Sequence, residues 1–139
     1  MGAFPEAVYL VNGILTQYVA IHDEIFAFSW RKIIPIPGIF KAIDYPRHRD
    51  ELGVLAAGLA DVLDSPADDR IPPVFGQYVD ALLSTVEALQ HICSRLADKA
   101  EGMGYPMGDY NSDMASYKAL CKQYLQLGAV LNQQLGAAY

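Results

Sequence analysis

The chain has 139 residues, of which 53% are hydrophobic and 19% charged, and its formal net charge is −6. This length suits one domain that folds without a metal or a disulfide. The acidic balance argues against general nucleic-acid binding, because phosphate contacts need a clustered positive field. The rich apolar content favours a well-filled core or apolar surface that a partner covers, so self-association is expected.

No stretch of the first predicted helix has the length and apolar character of a membrane span. Its longest window without a charged residue, 7–22, contains Asn12, Thr16 and Gln17, so it is too short and too polar to cross a bilayer. The N-terminus lacks the basic region of a secretory signal and carries Glu6. We therefore expect a soluble protein of the cytoplasm.

The first predicted helix runs from Pro5 to about Ile33, just before the Ile34-Pro35 step that disfavours helical geometry. Its apolar residues cover a wide face, which is typical of a helix that touches at least two neighbours. They form two adjacent stripes: Phe4, Val8, Val11, Leu15, Tyr18, His22 and Ile25, and Ala7, Ile14, Ile21 and Phe28.

The segment from Trp30 to Arg49 is basic in an acidic protein. It holds five of the ten Lys/Arg residues and one of the sixteen acids. Its middle, IIPIPGIF, is apolar and broken by two prolines and a glycine, which predicts a loop. Two interpretations stay open. The isoleucines and Phe40 fold over the open end of the protein as a plug, or they form a docking surface for a partner protein or an anionic membrane surface.

The second predicted helix begins between Asp44 and Pro46, with Asp44 as its cap, and runs to Leu63. Its apolar stripe is narrow and its faces carry little bulk, which permits a close approach of neighbouring helices. The stripe consists of Leu52, Leu55, Leu59 and Val62. A polar, proline-rich connection over 64–73 follows.

The third predicted helix, from about Pro73 to Glu101, has the clearest pattern in the chain, with Gly102 as its C-terminal stop. Apolar residues alternate steps of four and three without a break. They are Phe75, Val79, Leu82, Val86, Leu89, Cys93, Leu96 and Ala100.

The fourth predicted helix starts after a turn-rich stretch, with Asn111 or Ser112 as its cap. Its stripe is Met114, Tyr117, Cys121, Tyr124, Gly128, Leu131 and Leu135. Four amphipathic helices joined by connections of about ten residues predict an all-α, up-down-up-down four-helix bundle with long first and third helices. The bundle forms one domain over 1–139, in which the 1–2 and 3–4 loops lie at the same end.

Three consecutive basic residues fall in the first turn of the second helix, where positive charge is unfavourable because the helix dipole is already positive. One hypothesis is that they bind a phosphate or carboxylate ligand together with the end of the first helix. The residues of this anion site are Arg31, Lys32, Arg47, His48 and Arg49. The alternative is that Asp44, Asp50 and Glu51 neutralise the arginines on a solvated surface.

His22, Cys93 and Cys121 fall at a similar height on core stripes, so a metal or redox site is geometrically conceivable. Against it, the chain has neither CxxC nor HxxxH spacing, and a buried free cysteine commonly acts as a small hydrophobe. A His22 hydrogen-bonded to Tyr18 or to a neighbouring helix is favoured instead. We predict no metal, no cofactor and no catalytic residue, since Glu-x-x-His pairs and a glycine-rich phosphate loop are also missing from the sequence.

The sequence predicts a binding protein that engages a partner protein or itself through the loop end formed by 30–49 and 103–110. The interface residues are Ile34, Ile36, Ile39, Phe40, Met103, Tyr105 and Met107. Small residues of the first helix offer a second surface: Gly13, Ala20 and Ala27. The alternative function is the binding of a small anionic molecule at the start of the second helix, and an enzyme that uses His22, Cys93 or Cys121 comes third.

Overall fold

The computed structural model describes residues 5–31, 43–65 and 68–138. Four α-helices account for the secondary structure: α1 Glu6–Arg31, α2 Tyr45–Asp64, α3 Val74–Ala100 and α4 Met107–Ala138. Because the helices pack against each other and the described ranges contain no strand, the predicted all-α class is confirmed. In these ranges no helix has the length and apolar character that crossing a membrane requires.

Two of the predicted helix ends are formed by the residues that the sequence indicated. At the start of α2, a side-chain oxygen of Asp44 accepts a hydrogen bond from the backbone N–H of Arg47 at 3.1 Å, which satisfies one of the unpaired amides of the first turn. After α3, Gly102 has a φ of 94° and its N–H donates to the carbonyl of Lys99. This left-handed conformation costs glycine little, so the chain turns sharply there.

The start of α4 lies ahead of its predicted position. The helix begins at Met107, immediately after Pro106, and the carbonyl of Pro106 accepts a hydrogen bond from the N–H of Tyr110 at 3.0 Å. Asp109 lies in the first turn, where a negative charge interacts favourably with the helix dipole. Residues that look turn-like in the sequence are therefore the first turn of a helix.

The centre of the core is α3, which packs against both α2 and α4. Most of its predicted stripe is buried: Phe75, Val79, Leu82, Val86, Leu89 and Cys93 are each 6% exposed or less. The last two residues of the stripe differ, since Leu96 is half-buried and Ala100 is exposed. Burial of this stripe by two neighbouring helices removes apolar surface from water and so stabilises the fold.

A glycine brings α4 close to α3. A Cβ atom placed on Gly128 would lie 3.1 Å from the ring of Tyr78, so a side chain there would push against a buried aromatic ring. Nearer the other end of the same pair of helices, His91 Nε2 lies 3.5 Å from Asp113 Oδ2. Contacts between α3 and α4 thus run in opposite chain order: residue numbers rise along α3 as they fall along α4.

The contacts between α1 and α2 also run in opposite chain order. A Cβ on Gly58 would lie 3.0 Å from Cδ1 of Ile14, and Glu24 Oε2 lies 3.6 Å from His48 Nε2. Residue numbers therefore rise along α1 as they fall along α2. Ile25 and Phe26 of α1 and Tyr45, the first residue of α2, line a cavity together with Met107, the first residue of α4.

Candidate functional site

One end of the molecule contains a cavity of about 140 Å³ that all four helices line. The lining residues are Ile25 and Phe26 of α1, Tyr45 of α2, Ile92, Leu96 and Lys99 of α3, Tyr105 of the α3–α4 loop, and Met107 and Tyr110 of α4. We call the surface made by residues 43–49 and 103–110 around this cavity the cavity end. It comprises the described part of the loop end that the sequence assigned to binding.

Two methionines of the cavity end are exposed. The exposed fraction is 60% for Met103 and 68% for Met107, and Met107 also lines the cavity. A methionine side chain is flexible and polarisable, so it adapts to partners of different shape. These two predicted interface residues are therefore accessible.

Tyr105, the third predicted interface residue in the described chain, points inward. It is 6% exposed, its hydroxyl donates to Asp113 Oδ2 at 2.6 Å, and the guanidinium of Arg95 lies 4.3 Å from its ring centre. Burial and the hydrogen bond to Asp113 raise the pKa of Tyr105. Arg95 covers one face of the ring and Asp113 fixes the hydroxyl, and Tyr105 lines the cavity.

The arginines of the predicted anion site pair with neighbouring acids. Arg47 Nε lies 2.9 Å from Glu51 Oε1, and Arg49 Nε lies 3.1 Å from Asp50 Oδ1. The positive charge at the start of α2 is thus balanced within the helix, which is the arrangement that the alternative interpretation described.

His48, the remaining described residue of that site, is 1% exposed. Its Nε2 lies 3.6 Å from Glu24 Oε2 of α1, and its Nδ1 lies 3.7 Å from Glu51 Oε1. Nδ1 has no hydrogen-bond partner in the described part of the chain. Two carboxylates therefore face this imidazole, and they would repel an anion that approached it.

The other predicted site residues lie outside the described residues: Lys32, Ile34, Ile36, Ile39, Phe40 and the side chain of Arg31. The plug and docking-surface interpretations of the IIPIPGIF loop both concern residues outside the described ranges.

A buried polar cluster joins α1 to α4, and its pairing was not predicted from the sequence. The hydroxyls of Tyr18 and Tyr117 are hydrogen-bonded to each other. His22 Nδ1 lies 2.6 Å from the Tyr117 hydroxyl, and Cys121 Sγ lies 3.6 Å from the Tyr18 hydroxyl. The favoured interpretation of His22, a hydrogen bond to a neighbouring helix, is confirmed. Tyrosines on the facing stripes of both helices were the available sequence signal.

Burial favours the neutral forms of Tyr18, Tyr117 and His22. Removal from water raises the pKa of Tyr18 and of Tyr117 and lowers that of His22. A neutral His22 that carries its proton on Nε2 accepts a hydrogen bond from the Tyr117 hydroxyl at Nδ1. The polar atoms thus satisfy one another between the two helices.

The cysteines and His22 do not assemble into the conceivable metal site. Cys93 and Cys121 are both free, and within residues 5–31, 43–65 and 68–138 no three His, Cys, Asp or Glu side chains are placed to hold a metal ion. Burial raises the pKa of Cys93 to about 12, so its thiol stays protonated at neutral pH. Two of the three residues of that conceivable site, His22 and Cys121, belong instead to the polar cluster with Tyr18 and Tyr117.

We expect the stability of the protein to depend on pH through His22. Because burial lowers the pKa of His22 in the folded state, the unfolded chain binds a proton first as the pH falls. The contribution of His22 is fully present above its ordinary pKa of about 6.5 and is lost as the pH falls toward the folded-state value. Urea unfolding between pH 7 and pH 5 should therefore show a loss of stability that is smaller in a His22→Gln variant. An equal pH dependence in both proteins would contradict this assignment.

The chain matches no protein-family model, no curated protein and no solved structure. Its function is therefore inferred from the geometry of its own residues.

Proposed function

We propose that the protein acts by binding and not by catalysis, and that it associates with a second copy of itself, or with a partner protein, through the cavity end. The observation that carries this proposal is the exposure of Met103 and Met107, two large apolar side chains of the cavity end, the second of which lines a cavity with aromatic residues. Interfaces are enriched in methionine and aromatic residues. A cavity next to them offers a place for an anchoring side chain.

An up-down-up-down arrangement of the four helices would bring the α1–α2 and α3–α4 connections to this end. The opposite chain order of the α1–α2 and α3–α4 contacts supports it.

The free thiols of Cys93 and Cys121 support the cytoplasm as the proposed location, because that compartment keeps cysteines reduced.

The alternative proposal, an anionic molecule at the start of α2, has less support. Arg47 and Arg49 would have to leave Glu51 and Asp50 to bind it, and His48 is buried between carboxylates. We therefore place binding at the cavity end.

Self-association can be tested with a pair of matched substitutions. Met103→Lys places a charge on the cavity end, and Leu125→Lys places the same charge at an α4 position whose side chain is also 60% exposed. Sedimentation velocity of the wild-type protein over a concentration series should show a reversible dimer. We expect Met103→Lys to weaken it by about 10-fold or more, because a charge at an apolar contact is desolvated.

Leu125→Lys should leave the dissociation constant unchanged. A wild-type protein that stays monomeric up to high micromolar concentration, or equal effects of the two substitutions, would contradict association of copies through the cavity end.

A further inference from the structure

The described residues that line the cavity range from buried to exposed. Ile25 and Ile92 are 2% and 1% exposed, and Phe26 and Leu96 are half-buried. Lys99 and Met107 are exposed. Because the buried part of the lining is apolar and Lys99 is both charged and exposed, a bound molecule would have one apolar end and one polar end.

The volume of the cavity fits one six-membered ring. An apolar cavity of about 150 Å³ in a protein core binds benzene, and this cavity measures about 140 Å³. The walls include the rings of Phe26 and Tyr110, which favour an aromatic occupant over an aliphatic chain because ring pairs gain from offset or edge-to-face packing.

The charge of Lys99 selects the polar end of the occupant. Among the described residues that line the cavity, Lys99 is the one with a formal charge, and it makes no ion pair with any part of the described chain. Arg95, its neighbour on α3, is already engaged with Tyr105 and Asp109. A lysine ammonium that borders an apolar cavity is complementary to a carboxylate.

We propose that this cavity binds a small aryl-alkanoic acid, with the ring against Ile92 and Leu96 and the carboxylate at Lys99. This ligand site goes beyond the proposed self-association and shares Met107 with the proposed interface. Met103 lies outside the lining of the cavity, so a substitution there tests self-association separately.

The test uses two probes of the same size. Isothermal titration calorimetry and amide chemical-shift mapping of the full chain would compare 3-phenylpropionate with the neutral 3-phenylpropanamide. The carboxylate should bind more tightly, and both probes should shift the amides of Ile92 and Leu96. Lys99→Met should weaken the binding of 3-phenylpropionate by about 5-fold and leave that of the amide unchanged.

Lys118→Met is the matched control, since it removes an exposed lysine of α4 that does not line the cavity, and it should change neither affinity. Leu96→Trp should fill the cavity and abolish both. If that variant fails to fold, the comparison of Lys99→Met with Lys118→Met is sufficient to test the ligand site.

The proposal is overturned if 3-phenylpropionate does not bind at millimolar concentration, if both probes bind equally, or if Lys99→Met has no more effect than Lys118→Met. Met103→Lys should retain the affinity for 3-phenylpropionate, so that a failure of self-association and a failure of ligand binding are told apart.

Discussion

Replacing Leu82 with alanine should lower the free energy of unfolding by about 2–5 kcal/mol. Leu82 is 0% exposed and lies in α3, the helix that packs against both α2 and α4. Its truncation removes apolar contacts on a stripe that two helices cover, and the close-packed surroundings cannot collapse fully into the space. Urea unfolding followed by far-UV circular dichroism measures the loss.

Leu125→Ala is the matched control for this substitution. It makes the same chemical change at an α4 position that is 60% exposed, so we expect an effect within about 0.5 kcal/mol of the wild type. Comparable losses in the two variants would mean that α3 is not the centre of the core.

Tyr117→Phe should lower the free energy of unfolding by about 1–3 kcal/mol, although it removes one oxygen atom and keeps the ring. The Tyr117 side chain is 1% exposed, and its hydroxyl meets the hydroxyl of Tyr18 and Nδ1 of His22. Without it, the buried hydroxyl of Tyr18 and the partly buried Nδ1 of His22 each lose a hydrogen-bond partner. Urea unfolding of the variant at neutral pH measures the effect.

A double-mutant cycle separates this hydrogen bond from the general cost of each change. In the Tyr18→Phe/Tyr117→Phe double variant neither hydroxyl is left facing the other. The loss of stability should therefore be smaller than the sum of the two single losses, by about 0.5 kcal/mol or more. Strict additivity would show that the two hydroxyls do not interact in solution.

Much of α2 and α3 could be predicted because it depends on neighbours in the chain. The four-three spacing of Val79, Leu82 and Val86 places them on one face of any helix, and all three are fully buried. Asp44 and Gly102 act on amides and carbonyls within four residues, so their roles as cap and stop were visible in the sequence.

The start of α4 was harder to predict because two local signals conflict there. Gly108 and Asp109 favour a turn, but they follow Pro106 and fit the first turn of a helix equally well. Propensity alone did not separate the two states, and the packing of Tyr110 and Met114 against the core favours the helix.

The residues of the candidate site could likewise be predicted only in part. The sequence indicated one end of the protein, with Met103 and Met107 on it, and they are exposed there. It did not indicate that Tyr105 turns inward to Asp113, or that Lys99 lines a cavity with side chains from α1 and α2. These contacts depend on the separation and rotation of whole helices, which no local pattern specifies.

Four amphipathic helices, the buried stripe of α3 and the ends at Asp44 and Gly102 follow from the amino-acid sequence, because hydrophobic period and capping act over a few residues. The pairing of Tyr18 with Tyr117, 99 residues away, and the burial of His48 between Glu24 and Glu51 depend on how the helices pack. The period of an apolar stripe predicts which face of its helix a side chain lies on, but it does not predict which residue of another helix that side chain contacts. The partner is set by the height and rotation at which helices distant in the chain pack against each other. These decide whether a buried polar atom meets a hydrogen-bond partner, as the Tyr18 hydroxyl does, or only carboxylates beyond hydrogen-bonding distance, as Nδ1 of His48 does.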